Sequence, residues 1–531
     1  MTTAAHHVDV VIVGAGFAGL YALYQMRMAG LTAQAFEASH DVGGVWQWNR
    51  YPGARCDVQS LEYSYSFSQA LEQEWEWTER YATQPEILSY LRHVADRFAL
   101  RRDIEFETRV VSARFDEQTN LWDVRTDTGT QVFARYCIMA SGSLSVTRLP
   151  DFPGIETFGG AIYHTGDWPR DGVDFSGKRV AVVGTGSSGV QSIPIIAEQA
   201  AHVTVFQRTP NFVVSAKNRP LDPEASAAWK ARYAEHRALA KRVGSLYEFS
   251  DKRSADLSAA ERETELARRW DGGGVNFVHA FNDIFTDQAA NDAAAYFVRA
   301  RIRDIVDDPG IADRLSPTDH PIGTKRICVG SDYYATYNRP NVTLVDLRAT
   351  PIVKVTCGAI ETTENTAHFD VIVCATGYDA LTGALARIDI RGRGGLALKD
   401  KWASGPRNYL GLMSAGFPNL FVITGPGSPS VLVNMVVGIE QHVDWIADCI
   451  THLAANGAAT IEPVTSAEDS WVQRVNDEAD LTLFPKANSW YNGSNIPGKP
   501  RIFLPFVGGI GRYRDICDQV AADGYAGFEI R

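Results

Sequence analysis

The sequence predicts an α/β fold that contains two similar strand–turn–helix–strand units and one helical insertion. Each unit has an apolar, β-branched strand that runs directly into a glycine-rich turn, at residues 14–19 and 184–189. Residues 219–322, in contrast, show helical spacing without strand alternation. The chain has 531 residues, enough for about three domains. Its 45% hydrophobic and 21% charged residues are typical of a globular protein.

The first unit lies at the start of the chain. Strands are predicted over residues 8–13 and 32–36, with a helix over residues 20–29 between them. The turn carries three glycines: Gly14, Gly16 and Gly19. The second strand ends in Glu37, 23 residues after Gly14. In a Rossmann-type unit such glycines admit a pyrophosphate at a helix N-terminus, and the acid binds a ribose hydroxyl. An ordinary glycine turn is the alternative, but the register of strand, helix and acid favours FAD or NAD.

The second unit repeats this pattern 170 residues later. Strands are predicted over residues 178–183 and 202–206. The turn between them consists of Gly184, Thr185, Gly186, Ser187, Ser188 and Gly189. Gln207 stands where the acid would be, and Arg208 and Thr209 follow it. A guanidinium and a hydroxyl can bind a ribose 2′-phosphate that an acid would repel, so this unit favours NADP over NAD. A duplicated fold with one inactive site is the alternative, although both turns keep all three glycines.

Charge and cysteine content exclude several functional classes. The 51 Lys and Arg against 63 Asp and Glu give a net charge of −12, which offers no electrostatic basis for nucleic-acid binding. The seven cysteines are scattered without a CxxC pair, so we expect no metal site and a reducing, cytoplasmic location. The apolar residues 8–20 are too few and too interrupted to span a membrane, so no membrane partner is expected.

Two longer motifs carry a resemblance to a known family. Residues 158–169 read FxGxxxHTxxWP, and residues 43–57 read GGxWxxxxYPGxxxD. Both strings are signatures of the flavin-dependent Baeyer–Villiger monooxygenases, and the chain resembles that family from about residue 8 to residue 528. Residues 50–57 and 425–430 make it most similar to the phenylacetone and steroid monooxygenase branch.

The resemblance implies two sets of cofactor-binding residues. FAD would be held by the first glycine turn and Glu37, with further contacts from Gly44, Val45, Trp46, Arg55, Asp57, Tyr63, Val110 and Met435. NADPH would be held by the second glycine turn, with Arg208, Thr209 and Lys325 on its 2′-phosphate and Trp490 on the nicotinamide side.

The resemblance also implies that Arg326 is the catalytic cation and that Asp57 positions it. Chemistry gives an independent reason for such a cation, because the C4a-peroxyflavin that attacks a ketone must stay anionic and the resulting adduct is also an anion. A guanidinium stabilises both charges without donating a proton, and each such donor is worth about 3–4 kcal/mol. The loop residues Ser430, Val431, Leu432 and Val433 would line the substrate pocket. Their apolar character favours an aryl, cyclic or steroid-like ketone.

The expected activity is NADPH- and O2-dependent oxidation of a ketone to an ester or lactone. One alternative is a flavin monooxygenase that oxidises sulfides or amines, which would not need the motif at residues 43–57 or the Lys325–Arg326 pair. A non-catalytic flavin protein is a second alternative, but it would require a damaged site.

The motifs also predict a discontinuous domain order. FAD-binding segments are expected at residues 1–145 and 381–531, NADP-binding segments at 146–218 and 323–380, and the helical insertion at 219–322. The sequence does not fix the oligomeric state, and a monomer is compatible with this organisation.

Overall fold

The computed structural model describes residues 6–531, whose strands form two large and three small sheets. The strands are β1 His6–Val13, β2 Ala33–Phe36, β3 Ile104–Glu105, β4 Val110–Asp116, β5 Leu121–Thr126, β6 Gln131–Met139, β7 Ala161–His164, β8 Arg179–Val183, β9 His202–Gln207, β10 Val213–Ser215, β11 Cys328–Gly330, β12 Val342–Asp346, β13 Ile352–Val355, β14 Ala359–Thr362, β15 Thr366–His368, β16 Val371–Cys374, β17 Asp389–Arg391, β18 Leu420–Val422, β19 Ile461–Pro463 and β20 Phe528–Ile530.

The α-helices lie mainly between these strands. They are α1 Phe17–Met28, α2 Val45–Trp48, α3 Gln69–Glu74, α4 Gln84–Arg97, α5 Ser187–Gln199, α6 Pro223–Lys230, α7 Tyr233–Val243, α8 Ala259–Gly272, α9 Gln288–Ile305, α10 Pro309–Leu315, α11 Gly383–Ala386, α12 Leu398–Lys401, α13 Met435–Ala455, α14 Thr465–Asp480 and α15 Ile510–Ala522.

The first large sheet has eight strands in the order β17-β4-β5-β6-β1-β2-β3, with β18 also paired to β6. β1 pairs in parallel with both β2 and β6. Its side chains alternate between two buried clusters: Val10 and Ile12 pack in a core with residues of α1, α4 and α13, while Val11 and Val13 pack in the core on the opposite face. Burial on both faces explains why the second half of this strand, residues 10–13, is apolar throughout.

The second large sheet is fully parallel, in the order β12-β9-β8-β16-β7. One face packs on α5 and the helical insertion, and the other packs on the small antiparallel sheet β13-β14-β15. The two large sheets draw their strands from the chain segments that the sequence assigns to the two dinucleotide-binding domains, although the domain boundaries themselves stay a prediction.

The predicted elements are present with shifted ends. α1 begins at Phe17 rather than at residue 20, because Gly16 already has the extended conformation of a helix N-cap. The predicted helical insertion begins with two helices, α6 and α7, which meet near Arg232, and α7 ends at Gly244, where φ is +85°. As expected, no strand lies between residues 219 and 322, a segment that the structure describes completely.

Within residues 6–531, no helix has the length and apolar character needed to cross a membrane. The same part of the chain contains no cluster of three His, Cys, Asp or Glu side chains that could hold a metal ion.

Candidate active site

The first glycine turn, residues 14–19, joins β1 to α1 in a conformation that side chains would obstruct. Gly14 has a φ of +106°, and a Cβ there would lie 2.6 Å from the carbonyl oxygen of Ala140. A Cβ on Gly19 would lie 1.8 Å from the carbonyl oxygen of Gly14, so α1 starts pressed against the end of β1. The turn therefore presents the N-terminus of α1, where backbone N–H groups and the helix dipole favour a phosphate group.

Glu37 follows β2 beside this turn and is almost fully buried. Its Oε2 accepts the N–H of Ala15 at 2.8 Å, and its Oε1 accepts the N–H of Ser39 at 2.7 Å. Burial raises the pKa of Glu37, although these backbone hydrogen bonds oppose the rise. Because each carboxylate oxygen has a second lone pair, the side chain can still accept a hydrogen bond from a ribose hydroxyl.

Val110 and Gly44 come from two other segments of the chain that approach this region. The N–H of Thr108 donates to the carbonyl oxygen of Glu37 at 2.9 Å, and Val110, at the start of β4, packs in the same buried cluster as Phe36. Gly44 has a φ of +55°, and a Cβ there would lie 2.9 Å from the Cα of Gly16. A second glycine backbone, which leads into Val45 and α2, is therefore packed against the first turn.

Three further predicted FAD residues are Trp46 in α2, Tyr63 in the segment that follows α2, and Met435 at the start of α13. Trp46 donates its indole N–H to the hydroxyl of Tyr63 at 3.1 Å. Burial raises the pKa of Tyr63 well above its ordinary value, and the nearby Cys56 and Asp57 add to the rise. Met435, the first residue of α13, packs against the apolar cluster that contains Val431. All three residues pack in or against the core that contains α1 and α13.

The second glycine turn repeats the geometry of the first. Gly184 also has a φ of +106°, and a Cβ there would lie 2.5 Å from the carbonyl oxygen of Ala375. A Cβ on Gly189 would lie 2.3 Å from the carbonyl oxygen of Gly184, whereas one on Gly186 would meet nothing within 4 Å. Gly186 is the N-cap of α5, so the open space lies at the N-terminus of the helix that begins with Ser187 and Ser188.

The segment of residues 51–57 lies against α5. Tyr51 donates its hydroxyl to Oε1 of Gln191 at 2.9 Å, and Nε2 of Gln191 donates to the carbonyl oxygen of Arg55 at 3.2 Å. The Arg55 side chain pairs with Glu79 at 3.0 Å. A cofactor contact of Arg55 therefore stays a prediction.

Arg208, Thr209 and Lys325 meet at the carboxyl end of β9. Thr185 of the second glycine turn donates its hydroxyl to the carbonyl oxygen of Thr209 at 3.0 Å. Lys325 is half-buried, and burial together with the nearby charges of Arg208 and Arg348 lowers its pKa, against the opposing effect of Asp319. The sequence analysis did not identify Arg348, because no local motif marks it and its position depends on the pairing of β12 with β9.

Arg326 is held by three oxygen atoms, which belong to two residues from distant parts of the chain. Its Nε and Nη2 donate to the two carboxylate oxygens of Asp57 at 2.9 and 2.7 Å, and its Nη1 donates to the carbonyl oxygen of Val431 at 2.9 Å. Burial disfavours the charged guanidinium, but Asp57 outweighs this effect and the pKa of Arg326 stays well above its ordinary value. A guanidinium has five N–H donors, so Asp57 and Val431 leave two of them unused.

Two tyrosines that the sequence analysis did not single out lie near this cation. Burial raises the pKa of Tyr491 and of Tyr247, and the positive charge of Arg326 opposes both rises. Tyr491 also packs against Trp490, with ring centroids 4.4 Å apart. Trp490 thus contacts Tyr491, which in turn lies beside Arg326.

The predicted substrate loop is next to the same cation. Ser430–Leu432 forms a short 3-10 turn, and Ser430 has a φ of +42°, with its hydroxyl donating to the carbonyl oxygen of Thr424 at 3.2 Å. Val433 continues from this turn into the N-terminus of α13. The loop packs in an apolar cluster that includes Phe285, Leu432, Phe484, Trp490, Tyr491 and Phe503. An apolar wall therefore adjoins the two free N–H donors of Arg326.

Comparison with known proteins agrees with this geometry. The chain matches the flavin-binding monooxygenase-like (FMO-like) family model over residues 7–223. A Baeyer–Villiger monooxygenase of Pseudooceanicola batsensis is 45% identical over 97% of this chain and 95% of its own length. A phenazine N-monooxygenase of Lysobacter antibioticus is 41% identical over 98% of this chain and 97% of its own.

Solved structures extend the likeness to the whole fold. A steroid monooxygenase bound to NADP has a TM-score of 0.95 and 56% identity, with 99% of each chain covered. A complex of the monooxygenase OTEMO with FAD and NADP has a TM-score of 0.96 and 40% identity, with 99% of this chain and 100% of that one covered. These likenesses confirm the predicted fold class, with two Rossmann-type domains that bind FAD and NADP in the solved structures, and the resemblance identified in the sequence. The chain belongs to the Baeyer–Villiger monooxygenases of the flavin-binding monooxygenase-like family.

Proposed function

We propose that the protein uses NADPH, FAD and O2 to convert a bulky, apolar ketone into an ester or lactone, with Arg326 and Asp57 as its catalytic residues. The observation that carries the proposal is the anchored guanidinium of Arg326, which has two N–H donors that Asp57 and Val431 do not use, beside an apolar loop. Family membership supports the reaction class, and the geometry supports the roles of the individual residues.

The first sheet fits FAD. The glycine turn lets α1 start against the end of β1, the N-terminus of α1 suits a pyrophosphate, and Glu37 suits a ribose. Bound there and reduced by NADPH, FAD would supply the chemistry that activates O2. We accordingly assign residues 1–145 and 381–531 to FAD binding, with Val45, Trp46, Tyr63, Val110 and Met435 as further contacts.

The second sheet fits NADPH in the same way. The open space beside Gly186, at the N-terminus of α5, suits its pyrophosphate, and Arg208, Thr209 and Lys325 suit its 2′-phosphate. We assign residues 146–218 and 323–380 to this site, separated by the helical insertion. Trp490, beside Tyr491, would cover the nicotinamide side.

Arg326 would stabilise the negative charge that develops on the reacting oxygen atoms. Its guanidinium keeps its proton, so it holds an oxyanion by hydrogen bonds and leaves it unprotonated. Asp57 fixes the plane of the guanidinium by a bidentate pair, and the Val431 carbonyl anchors its remaining branch. Each free donor would contribute about 3–4 kcal/mol to the anionic transition state.

The surrounding side chains would select the substrate and exclude water. Val431 is buried, and Leu432 and Phe484 belong to the same apolar cluster, whereas Val433 packs against the core that contains α1 and α13. An apolar wall binds the carbon skeleton of a ketone, while the carbonyl oxygen is directed to Arg326. The wall supports an aryl, cyclic or steroid-like substrate without choosing among them.

The test combines cofactor content, kinetics and product identity. The purified protein should be yellow, should oxidise NADPH faster when a phenyl, cyclic or steroid ketone is added, and should form a product one oxygen atom heavier. Arg326→Ala should keep FAD bound and lose the ester. A colourless protein that gains no activity with added FAD, or full ester formation by Arg326→Ala, would contradict the proposal.

Oxidation of nitrogen or sulfur is a second candidate activity, because a phenazine N-monooxygenase matches the chain nearly as well as the Baeyer–Villiger relative. Competition between a ketone and an amine or sulfide separates the two. The proposal requires ester formation to depend on Arg326. An amine oxide or sulfoxide as the main product would favour the second activity.

A further inference from the structure

Arg348 stands at the carboxyl end of the second sheet, beside the proposed 2′-phosphate site. β12 and β9 pair in parallel, with Asp346 opposite Gln207. The next residue, Leu347, donates its N–H to the carbonyl oxygen of Gln207 at 2.8 Å. Because both strands end at this edge, Arg348 is placed next to the residues that follow β9.

Two polar groups hold the Arg348 side chain. Its Nη2 donates to the hydroxyl of Thr209 at 3.1 Å and also to Oδ2 of Asp319. The other oxygen of Asp319 lies 2.7 Å from Nδ1 of His320. The side chains of Arg348 and Asp319 are 44% and 35% exposed, so a ligand can reach both. Thr209 thus connects Arg348 directly to the second glycine turn, whose Thr185 binds the Thr209 carbonyl.

The charges at this position match those of a phosphate monoester. Arg208, Lys325 and Arg348 supply three positive charges and Asp319 one negative charge, which leaves two positive charges. A phosphate monoester carries about −1.5 to −2 at pH 7, whereas a ribose hydroxyl carries none. Without Arg348 the cluster would retain a single net positive charge. Arg348 therefore supplies the charge that a 2′-phosphate requires and a hydroxyl does not.

We propose that Arg348 is a third cation for the 2′-phosphate of NADPH and that Asp319 is its counter-ion while no nucleotide is bound. The inference rests on the proposed function, because it assumes that the second glycine turn holds NADPH. On binding, Arg348 exchanges the carboxylate of Asp319 for the phosphate and keeps its contact with Thr209. Arg348 thereby acts as a specificity residue that distinguishes NADPH from NADH.

Calorimetry with NADP+ and NAD+ tests the proposal on the FAD-loaded enzyme without ketone. Arg348→Ala should bind NADP+ roughly 10- to 100-fold more weakly, the usual loss for a hydrogen bond to a charged group, and should bind NAD+ as the wild type does. Arg339→Ala is the matched control, since Arg339 is an exposed arginine before β12 whose side chain donates to Asn341. It should change neither affinity, and both variants should keep the wild-type melting temperature.

Asp319→Asn tests the counter-ion role separately. Removing its charge should tighten NADP+ binding severalfold and steepen its dependence on salt, because the cluster then carries three positive charges. NAD+ binding should not change. Weaker NADP+ binding by Asp319→Asn would overturn the counter-ion role.

Lys325→Ala separates failure of the inference from failure of the proposed function. If Lys325→Ala weakens NADP+ binding while Arg348→Ala does not, Arg348 has no part in the site and the proposed function stands. If Arg348→Ala weakens NADP+ and NAD+ equally, the specificity role is wrong. If neither variant changes NADP+ binding, the second glycine turn and its cations are not the NADPH site.

Discussion

Replacing Asp57 by Asn should weaken catalysis by disturbing Arg326 while both glycine turns stay intact. The side chain keeps its size, but one of the two carboxylate oxygens that accept from Nε and Nη2 becomes an NH2 group, which faces another donor. One charge-assisted hydrogen bond is lost, and the other becomes a bond to a neutral acceptor.

The size of the effect follows from the exposure of the pair. Hydrogen bonds to charged groups contribute about 1.5–3 kcal/mol. Arg326 and Asp57 are each 24% exposed, so solvent screens part of their interaction and we expect the lower half of this range, about 1.5–2 kcal/mol. The bond from Nη1 to the Val431 carbonyl remains and keeps the guanidinium near its site. The ester-forming kcat/KM should therefore fall roughly 10- to 30-fold.

The assay measures NADPH consumption, ester and hydrogen peroxide together. Asp57→Asn should keep its FAD and its affinity for NADP+, form less ester and release more peroxide per NADPH. Asp57→Glu is the matched control, because it retains the charge and should recover part of the ester yield. Wild-type ester yield and kcat/KM in Asp57→Asn would refute the argument that the carboxylate pair makes Arg326 competent.

Three further predictions concern the glycine turns and two buried titratable groups. Gly19→Ala should yield protein that shows no bound flavin by absorbance, since the added Cβ would lie 1.8 Å from the Gly14 carbonyl oxygen. In Gly186→Ala the added Cβ meets no atom within 4 Å, so this variant should keep its flavin and bind NADP+ more weakly. Burial lowers the pKa of His442 to about 3, below its unfolded value of 6.5. The unfolded chain therefore binds a proton at this residue more readily than the folded protein does. As the pH drops from 6.5 toward 3, this residue lowers the unfolding free energy by up to about 1.4 kcal/mol per pH unit. His442→Asn should flatten the pH dependence of the melting temperature in that interval, and an unchanged slope would contradict this origin. Burial raises the pKa of Glu62 to about 7, so its contribution to stability is complete below pH 4.5 and is lost as the pH rises through 7. Glu62→Gln should therefore raise the melting temperature at pH 8 but not at pH 4. Equal changes at both pH values would show that ionisation of Glu62 is not the cause.

The parts of the site that local sequence encodes could be predicted. Both glycine turns have the conformation that their spacing indicated, because close backbone approaches at Gly14, Gly19, Gly184 and Gly189 exclude side chains. The ends of the helices were predicted less accurately, as the break between α6 and α7 near Arg232 shows. Tertiary packing, which a local pattern does not encode, decides such ends.

The parts built from distant residues could not be found from local pattern. Asp57 and Arg326 are 269 residues apart, and only the family resemblance connected them before the structure did. The Val431 contact uses a backbone carbonyl, which every residue has and which therefore leaves no signature in the sequence. Arg348 depends on which strand lies beside β9, a matter of topology.

The discontinuous first sheet has a consequence for how the chain folds during synthesis. β4 receives its outer neighbour β17 only when Asp389 pairs with Ser112, after 277 further residues have been added. At about 5–20 residues per second, the ribosome needs roughly 14 to 55 s to add them. All strands of the second sheet emerge within that interval, so it can close while β4 still presents an unpaired edge. The substrate loop and α13 emerge later still. We therefore expect flavin to bind late, and we expect the incomplete first sheet to need chaperones most.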